Sequence, residues 1–300
     1  MTTGPPAPHG AGPVPDEPHG PAGPAPAPVA GWPVPPAGPP QPWNGPSPGP
    51  PGPPGPPPRR PGLFSLRPAP PPPPHRWGIG AFVVVEAVFL GVSLLVGYLV
   101  PTSGSINGIL VALVVPTVLA AITAVVFTWW RGNGPALDLG LRWSWDDVGI
   151  GLIIGFLGLL LTVPAALVYA AIVGPEGATT AVGDIFAGVR TSWPMALLVM
   201  FVVVVVAPFC EEIMYRGLLW GAVAKHIPNR PVVIYLVTTL LFAFAHFELT
   251  RTPLLFVVAL PLGLARMLTG RLGASVLAHQ MNNFLPGLAL ALMLVGVVEV

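Results

Sequence analysis

The stretch APFCEEIMYRG, residues 207–217, follows the apolar run FVVVVV and places Glu211, Glu212 and Arg216 beside residues typical of a membrane span. A charge at the centre of a membrane helix costs about 2.5–3.5 kcal/mol on insertion scales, so such residues usually face a bundle interior and serve a function. Glu212 and Arg216 are four positions apart and therefore share a helix face, with the acid on the favourable N-terminal side. Glu211 points about 100° away from them. A carboxylate that faces a membrane cavity is a candidate general base.

Two more pairs with the same spacing follow along the chain. Phe242 and His246 occur in FAFAH, and His279 and Asn283 occur in HQMNN. Histidine titrates near physiological pH, and a protonated histidine and an asparagine can both donate hydrogen bonds to developing negative charge. We predict that three helices each present one polar face to a common pocket. In the alternative interpretation, all of these groups only hold neighbouring helices together.

Other ionisable residues in the apolar region have simpler interpretations. Glu86 stands alone in the first apolar run, and two interpretations stay open, a bond to a neighbouring helix or a functional role. Glu248 lies three positions before Arg251, which indicates a surface ion pair. Cys210 is the only cysteine, so an intrachain disulfide is excluded, and we interpret it as a small buried apolar residue rather than a nucleophile.

The composition identifies a membrane protein with two dissimilar parts. Hydrophobic residues make up 53% of the chain and charged residues only 8%, far below the roughly 25% that is usual in soluble proteins. Most of the 44 prolines precede Trp77. We therefore predict a disordered Pro/Gly-rich cytoplasmic tail over residues 1–76 and a transmembrane helical domain over residues 77–300. The tail is a candidate ligand for a cytoplasmic module that binds polyproline, although a solvated leader is the favoured interpretation.

The apolar runs after the tail have the length that a bilayer requires, about 20 helical residues. The predicted fold is all-α, a polytopic transmembrane helix bundle of about seven spans. These spans are 78–100, 106–130, 148–173, 194–213, 232–249, 254–269 and 272–296. Pro208 should kink the fourth span and free a backbone carbonyl. The sixth span is short and contains Pro261 and Gly263.

The arginines and lysines favour one orientation. With the N-terminus in the cytoplasm of a plasma-membrane protein, most of them fall at cytoplasmic ends, and only Arg190 and Arg251 lie outside. The lipid bilayer is then one partner. Nucleic acid is not expected as a partner, because no basic patch with interleaved aromatic residues occurs.

The three motifs EEIMYR, FAFAH and HQMNN resemble the EExxxR, FxxxH and HxxxN patterns of the CAAX protease and bacteriocin-processing family of intramembrane endopeptidases, also called the Abi family. They occur in the same order, on separate predicted helices, and the resemblance covers a protease-like core at about residues 195–290. It implies an intramembrane endopeptidase that hydrolyses a peptide bond of a membrane-associated protein or peptide. The substrate itself is not specified, because a prenylated C-terminal peptide, a bacteriocin leader and a membrane-protein segment would all require the same cleavage machinery.

The resemblance also implies a role for each motif residue. Glu211 and His246 would activate a water molecule, and His279 and Asn283 would stabilise the oxyanion. The supporting residues that would organise the site are Glu212, Arg216 and Phe242.

The participation of a metal ion stays open at this stage. His246, His279 and Glu211 could supply three ligands to a zinc ion with an open fourth position, and members of the family are often described as metalloproteases. A glutamate and a histidine can also activate water without an ion, and no HExxH motif places two histidines on one helix face. We favour the interpretation without an ion.

Other functions fit the sequence less well. GASV at 273–276 lacks the last glycine of a rhomboid-type GxSG motif, and AVGD at 181–184 lacks the first glycine of an aspartyl-type GxGD motif. A transporter should show two repeated halves, which are absent here. The main alternative is a non-catalytic membrane scaffold or a bacteriocin self-immunity protein with the same fold.

Overall fold

The computed structural model describes residues 68–101, 104–142, 144–178 and 180–298. These residues form helices and connecting segments and contain no strand. The all-α fold predicted from the sequence is confirmed. The predicted disordered tail lies outside the described residues as far as residue 67.

Nine helices follow one another along the described part of the chain. Three of them, α3 at Pro135–Asp138, α5 at Ala181–Ile185 and α7 at Pro231–Phe244, are too short to count as long membrane spans. The longer ones are α1 at Ile79–Leu99, α2 at Ile106–Arg131, α4 at Trp145–Ala178, α6 at Trp193–His226, α8 at Thr252–Thr269 and α9 at Leu272–Leu294.

Within the described residues, five helices are long and apolar enough to cross a membrane, namely α1, α2, α4 as far as Gly174, α6 and α8. Helix α4 is interrupted at Gly174, whose φ of 80° leaves the helical region. Helix α9 is also long, but His279, Gln280, Asn282 and Asn283 lower its apolar character. Each of the seven predicted runs therefore contains a helix, and five of these helices meet the length and composition of a span.

Two boundaries differ from the prediction. The fourth span was expected to end at residue 213, but α6 continues to His226, because the polar pair inside it is satisfied internally and apolar residues follow. The fifth span was expected to reach residue 249, but α7 ends at Phe244, and the chain then turns through Phe247 with a φ of 56°. At 1.5 Å per residue, α7 is roughly 21 Å long, shorter than a bilayer core of about 30 Å.

Helix α6 is not α-helical throughout. It contains two π-helical stretches, Val202–Val206 and Ile213–Leu219, on either side of the α-helical residues Ala207–Glu212. Such widened turns often occur at functional sites, because they redirect side chains within an otherwise continuous helix. Here they flank the two glutamates.

Close packing against α4 fixes the position of α9. A Cβ atom on Gly151 would lie 2.9 Å from the Ala274 carbonyl oxygen, and one on Gly155 would lie 2.7 Å from the Met281 sulfur. The two glycines are four residues apart, a small-xxx-small arrangement that lets membrane helices approach closely. Helix α9 also packs on α6 and α8, which brings its polar face toward theirs.

The residues that precede α1 lie along the ends of several helices. The Ala69 backbone N–H donates to the Thr269 carbonyl at 2.8 Å, and the Lys225 ammonium group donates to the Trp77 carbonyl at 2.9 Å. The Trp77 indole is buried and donates to the Asp138 carboxylate at 2.9 Å. Residues 68–76, which the sequence places in the tail, therefore contact the helical domain.

Candidate active site

Glu212 is the centre of a buried polar cluster. Its side chain is fully buried, and its Oε1 atom lies 3.1 Å from Arg216 Nη1 and 2.9 Å from His279 Nδ1. The other carboxylate oxygen accepts a hydrogen bond from the Ser275 hydroxyl. Glu212 and Arg216 share one face of α6, as their spacing predicts, and the two groups supply the opposite charges that a buried ion pair requires.

Arg216 is also fully buried and links α6 to two other helices. Its guanidinium carbon lies 4.2 Å from the centre of the Phe242 ring on α7, a cation–π distance. Its Nη2 atom donates to the Ala259 carbonyl of α8 at 3.4 Å. Arg216 thus positions the aromatic ring of the second motif as well as the Glu212 carboxylate.

Glu211 lies on a different face of α6 and is more accessible. Its side chain is 29% exposed, whereas the Glu212 side chain is fully buried. Its Oε2 atom is 3.7 Å from His279 Nε2. His279 therefore lies between the two glutamates, with one ring nitrogen facing each carboxylate. A partly accessible carboxylate next to an imidazole is an arrangement that can exchange protons with a bound water.

The Phe242 ring contacts both candidate histidines. Ring centroids are 4.8 Å apart for Phe242 and His246 and 5.8 Å apart for Phe242 and His279, both edge to face. His246 lies just beyond the end of α7, not within the helix as predicted, because the chain turns after Phe244. Its Nδ1 atom lies 2.9 Å from the Phe242 carbonyl, which leaves Nε2 free for another partner. The two imidazoles thus contact the same ring.

Asn283 lies one helical turn beyond His279 and binds backbone. Its side-chain amide donates to the Val203 carbonyl at 3.2 Å. Val203 belongs to the first π-helical stretch, where each N–H donates to the carbonyl five residues earlier. The Ala207 N–H donates to the Val202 carbonyl in this way. The donor to the Val203 carbonyl in the same pattern would be residue 208. Pro208 has no N–H. The carbonyl that the sequence predicts to be freed by Pro208 is therefore taken up by Asn283, whose second amide hydrogen stays available.

A comparison with family models agrees with this geometry. Residues 193–285, from the start of α6 into α9, match the model described as "Rce1-like: Type II CAAX prenyl endopeptidase Rce1-like". This part of the chain is therefore similar to that family. Neither the curated proteins nor the solved structures contain a match. The Rce1-like match includes all three motifs and supports a peptidase kind of enzyme in a membrane.

The residues of this Rce1-like region do not form an evident metal centre. No group of three or more His, Cys, Asp or Glu side chains among the described residues is arranged to hold a metal ion. His279 already has Glu212 on Nδ1, and His246 has a backbone carbonyl on Nδ1. These Nδ1 contacts leave the Nε2 atom of each histidine for a further partner and therefore do not exclude a metal ligand. The chemistry proposed below uses no ion.

The sequence patterns missed Ser275, a residue of the Rce1-like site, and left the role of Glu86 open. Ser275 was considered only as a rhomboid-type nucleophile, although it precedes His279 by four positions and so shares its helix face. Glu86 on α1 lies close to the Tyr215 side chain of α6, while its buried Oε1 atom has no hydrogen-bond partner, so neither interpretation of Glu86 is decided. Tyr215 in turn packs edge to face on Phe242, with ring centroids 5.1 Å apart.

The remaining candidates lie apart from the polar cluster. Cys210 is buried and packs in the apolar core, in agreement with its predicted structural role. Glu248 forms an ion pair with Arg251 at 2.7 Å, as the spacing predicts.

A groove of about 470 Å³ is lined by residues of α6, of α9 and of the chain around the start of α4. Phe209 contributes to it from α6 and Val276, Leu277 and Gln280 from α9, and it extends to Arg142 near the start of α4.

Proposed function

We propose that this protein is an intramembrane endopeptidase that hydrolyses a peptide bond of a membrane-associated protein or peptide. The observation that carries the proposal is the contact of His279 with two glutamates of unequal exposure, Glu212 fully buried and Glu211 partly accessible. Such an arrangement separates a structural carboxylate from one that a water molecule can reach. The Rce1-like match over residues 193–285 supports the same class of reaction.

In the proposed reaction, Glu211 takes a proton from a water molecule that His246 orients through its free Nε2 atom. The water oxygen attacks the carbonyl carbon of the scissile bond, and the carbonyl oxygen acquires negative charge. His279 in its protonated form and the second amide hydrogen of Asn283 donate to this oxyanion. Glu211 then returns the proton to the departing amine, so that the carbon–nitrogen bond breaks and all charges balance.

Supporting residues keep these groups in place. Glu212 accepts from the Nδ1–H group of His279 and thereby directs Nε2 toward Glu211. Arg216 balances the buried charge of Glu212, and Phe242 packs against both imidazoles. Correct positioning of reacting groups accounts for a large part of enzymatic rate enhancement.

We further propose that the N-terminus faces the cytoplasm and that the bilayer is the plasma membrane, in keeping with the distribution of arginine and lysine. For the Pro-rich tail, a solvated leader stays the favoured interpretation, and binding to a cytoplasmic module is the alternative.

The decisive experiment measures cleavage by the purified, lipid-reconstituted protein. The three probes are a prenylated C-terminal peptide, a bacteriocin leader peptide and a membrane-segment peptide. We expect cleavage of at least one probe, and we expect Glu211→Gln to lower kcat by at least about a hundredfold, because general base catalysis contributes that much or more. Glu248→Gln is the matched control, since it removes a glutamate charge from the Arg251 ion pair outside the cluster.

The outcomes separate the two function classes. If Glu211→Gln, His246→Ala and His279→Ala all cleave as fast as the unmodified chain, the proposed chemistry is wrong. If no probe is cleaved and a cellular phenotype survives these substitutions, the scaffold or self-immunity alternative replaces the proposal.

A further inference from the structure

Ser275 connects three helices at a fully buried point. Its side chain is 0% exposed, its hydroxyl donates to the Glu212 carboxylate on α6, and the same oxygen lies 2.9 Å from the Leu262 carbonyl on α8. Ser275 itself belongs to α9 and lies one turn before His279. The Glu212 carboxylate is therefore bonded twice from α9, once at each oxygen.

The two oxygens of Glu212 have different partners. Oε1 lies against Arg216 and His279, while Oε2 lies against Ser275. A carboxylate can rotate about its last side-chain bond, because such torsions are broad rather than confined to staggered wells. A donor on Oε2 restricts this rotation and keeps Oε1 directed at His279.

We propose that Ser275 is a positioning residue of the active site, acting through Glu212 on the orientation of His279. This inference rests on the proposed function. Ser275 holds the Glu212 carboxylate, Glu212 holds His279 Nδ1, and His279 Nε2 consequently faces Glu211 at 3.7 Å. The loss of one hydrogen bond in this series changes the geometry of the proton-transfer pair without removing any group that contacts the substrate.

A nucleophilic role for Ser275 does not fit this geometry. A serine nucleophile needs a base that accepts its proton and open space at its oxygen for the substrate carbonyl. The Ser275 oxygen has no exposed surface and already lies between a carboxylate and a backbone carbonyl. Positioning is the role that a buried hydroxyl bonded to a carboxylate can perform.

The first test compares Ser275→Ala with the unmodified chain in the cleavage assay. We expect kcat to fall about two- to tenfold with KM unchanged, which corresponds to the loss of one hydrogen bond of ordinary strength. Ser275→Thr, which restores a hydroxyl, should recover part of the lost kcat. Thr128→Val is the matched control, because it removes a fully buried hydroxyl that bonds only within its own helix α2, and its kcat should not change.

A double-mutant cycle tests the route through Glu212. If Ser275 acts through this carboxylate, Ser275→Ala combined with Glu212→Gln should lower kcat no further than Glu212→Gln alone. An additive loss in the double variant, or an unchanged kcat in Ser275→Ala, would overturn the inference.

A spectroscopic measurement keeps the inference separate from the proposed function. In ¹⁵N-histidine-labelled protein, Ser275→Ala should shift the His279 ring nitrogen signals, assigned with His279→Gln, while Thr128→Val should leave them in place. Unchanged signals would contradict the positioning role whether or not cleavage is seen. Shifted signals in a chain without peptidase activity would leave the positioning role intact and overturn the proposed function instead.

Discussion

Two adjacent glutamates in this protein have different environments because of helix geometry. Successive residues of a helix point about 100° apart, so Glu212 enters the bundle while Glu211 stays partly exposed. The buried carboxylate is balanced by Arg216, His279 and Ser275. In the proposed reaction, the accessible carboxylate takes the proton from water and the buried one supports His279.

Arg216→Met should destabilise the folded protein. Removal of one partner of a buried ion pair leaves an uncompensated charge and typically costs about 3–5 kcal/mol. We expect a corresponding drop in the free energy of unfolding of the detergent-solubilised protein, measured by denaturant titration. The further substitution Glu212→Gln in the same chain should recover much of the loss, since no buried charge then lacks a partner. Equal stability of Arg216→Met and the unmodified protein would contradict this account.

The π-helical turns of α6 are the structural element at which the first motif, on α6, and the third motif, on α9, are connected by a hydrogen bond. The first of them ends directly before the α-helical turn that carries Glu211 and Glu212, and its Val203 carbonyl is bound by Asn283 of α9. A missing N–H at Pro208 is what leaves this carbonyl free. Proline thus acts here as a connector between helices, since it exposes an acceptor that another helix can bind.

Pro208→Ala should weaken this connection. Alanine supplies an N–H that can donate to the Val203 carbonyl in the π-helical pattern and so compete with Asn283. We expect kcat for peptide cleavage to fall about two- to tenfold, the effect of one displaced hydrogen bond. Pro116→Ala within α2 is the matched control, because that proline is also inside a helix and α2 itself carries no motif residue. Normal kcat in Pro208→Ala would show that Asn283 does not depend on this carbonyl.

The sequence predicted which segments form helices better than it predicted the residues at which the helices end. Apolar length identified each long helix, and four-residue spacing predicted the shared face of Glu212 and Arg216. Helix α7 ends at Phe244 and helix α6 continues to His226. Both ends depend on tertiary contacts, which the length of an apolar run does not encode. Ser275 was missed for a related reason. A serine in an apolar run has no distinctive pattern, and its role follows only from the helix that packs opposite it.

The described helices place many apolar side chains outward and the polar cluster inward. Exposed large hydrophobic residues occur along the long helices, among them Leu94 on α1, Ile153 on α4 and Leu197 on α6. Such an outer surface suits a lipid environment, because the transfer of apolar side chains from water into an apolar medium is favourable. Close packing at Gly151 and Gly155 then brings α9 to the site. The bilayer and the small residues together allow a buried charge cluster to exist in this fold.

The orientation of the molecule can be tested with introduced cysteines. Cys210 is buried, so it should react poorly with a membrane-impermeant maleimide. Pro228→Cys and Thr250→Cys place exposed thiols in the loops on either side of α7. With the N-terminus in the cytoplasm, we expect residue 250 to be labelled in intact cells and residue 228 only after permeabilisation, because Lys225 and Arg230 favour the cytoplasmic side. The reverse labelling pattern would invert the proposed topology, and labelling of both loops in intact cells would mean that α7 does not separate the two sides.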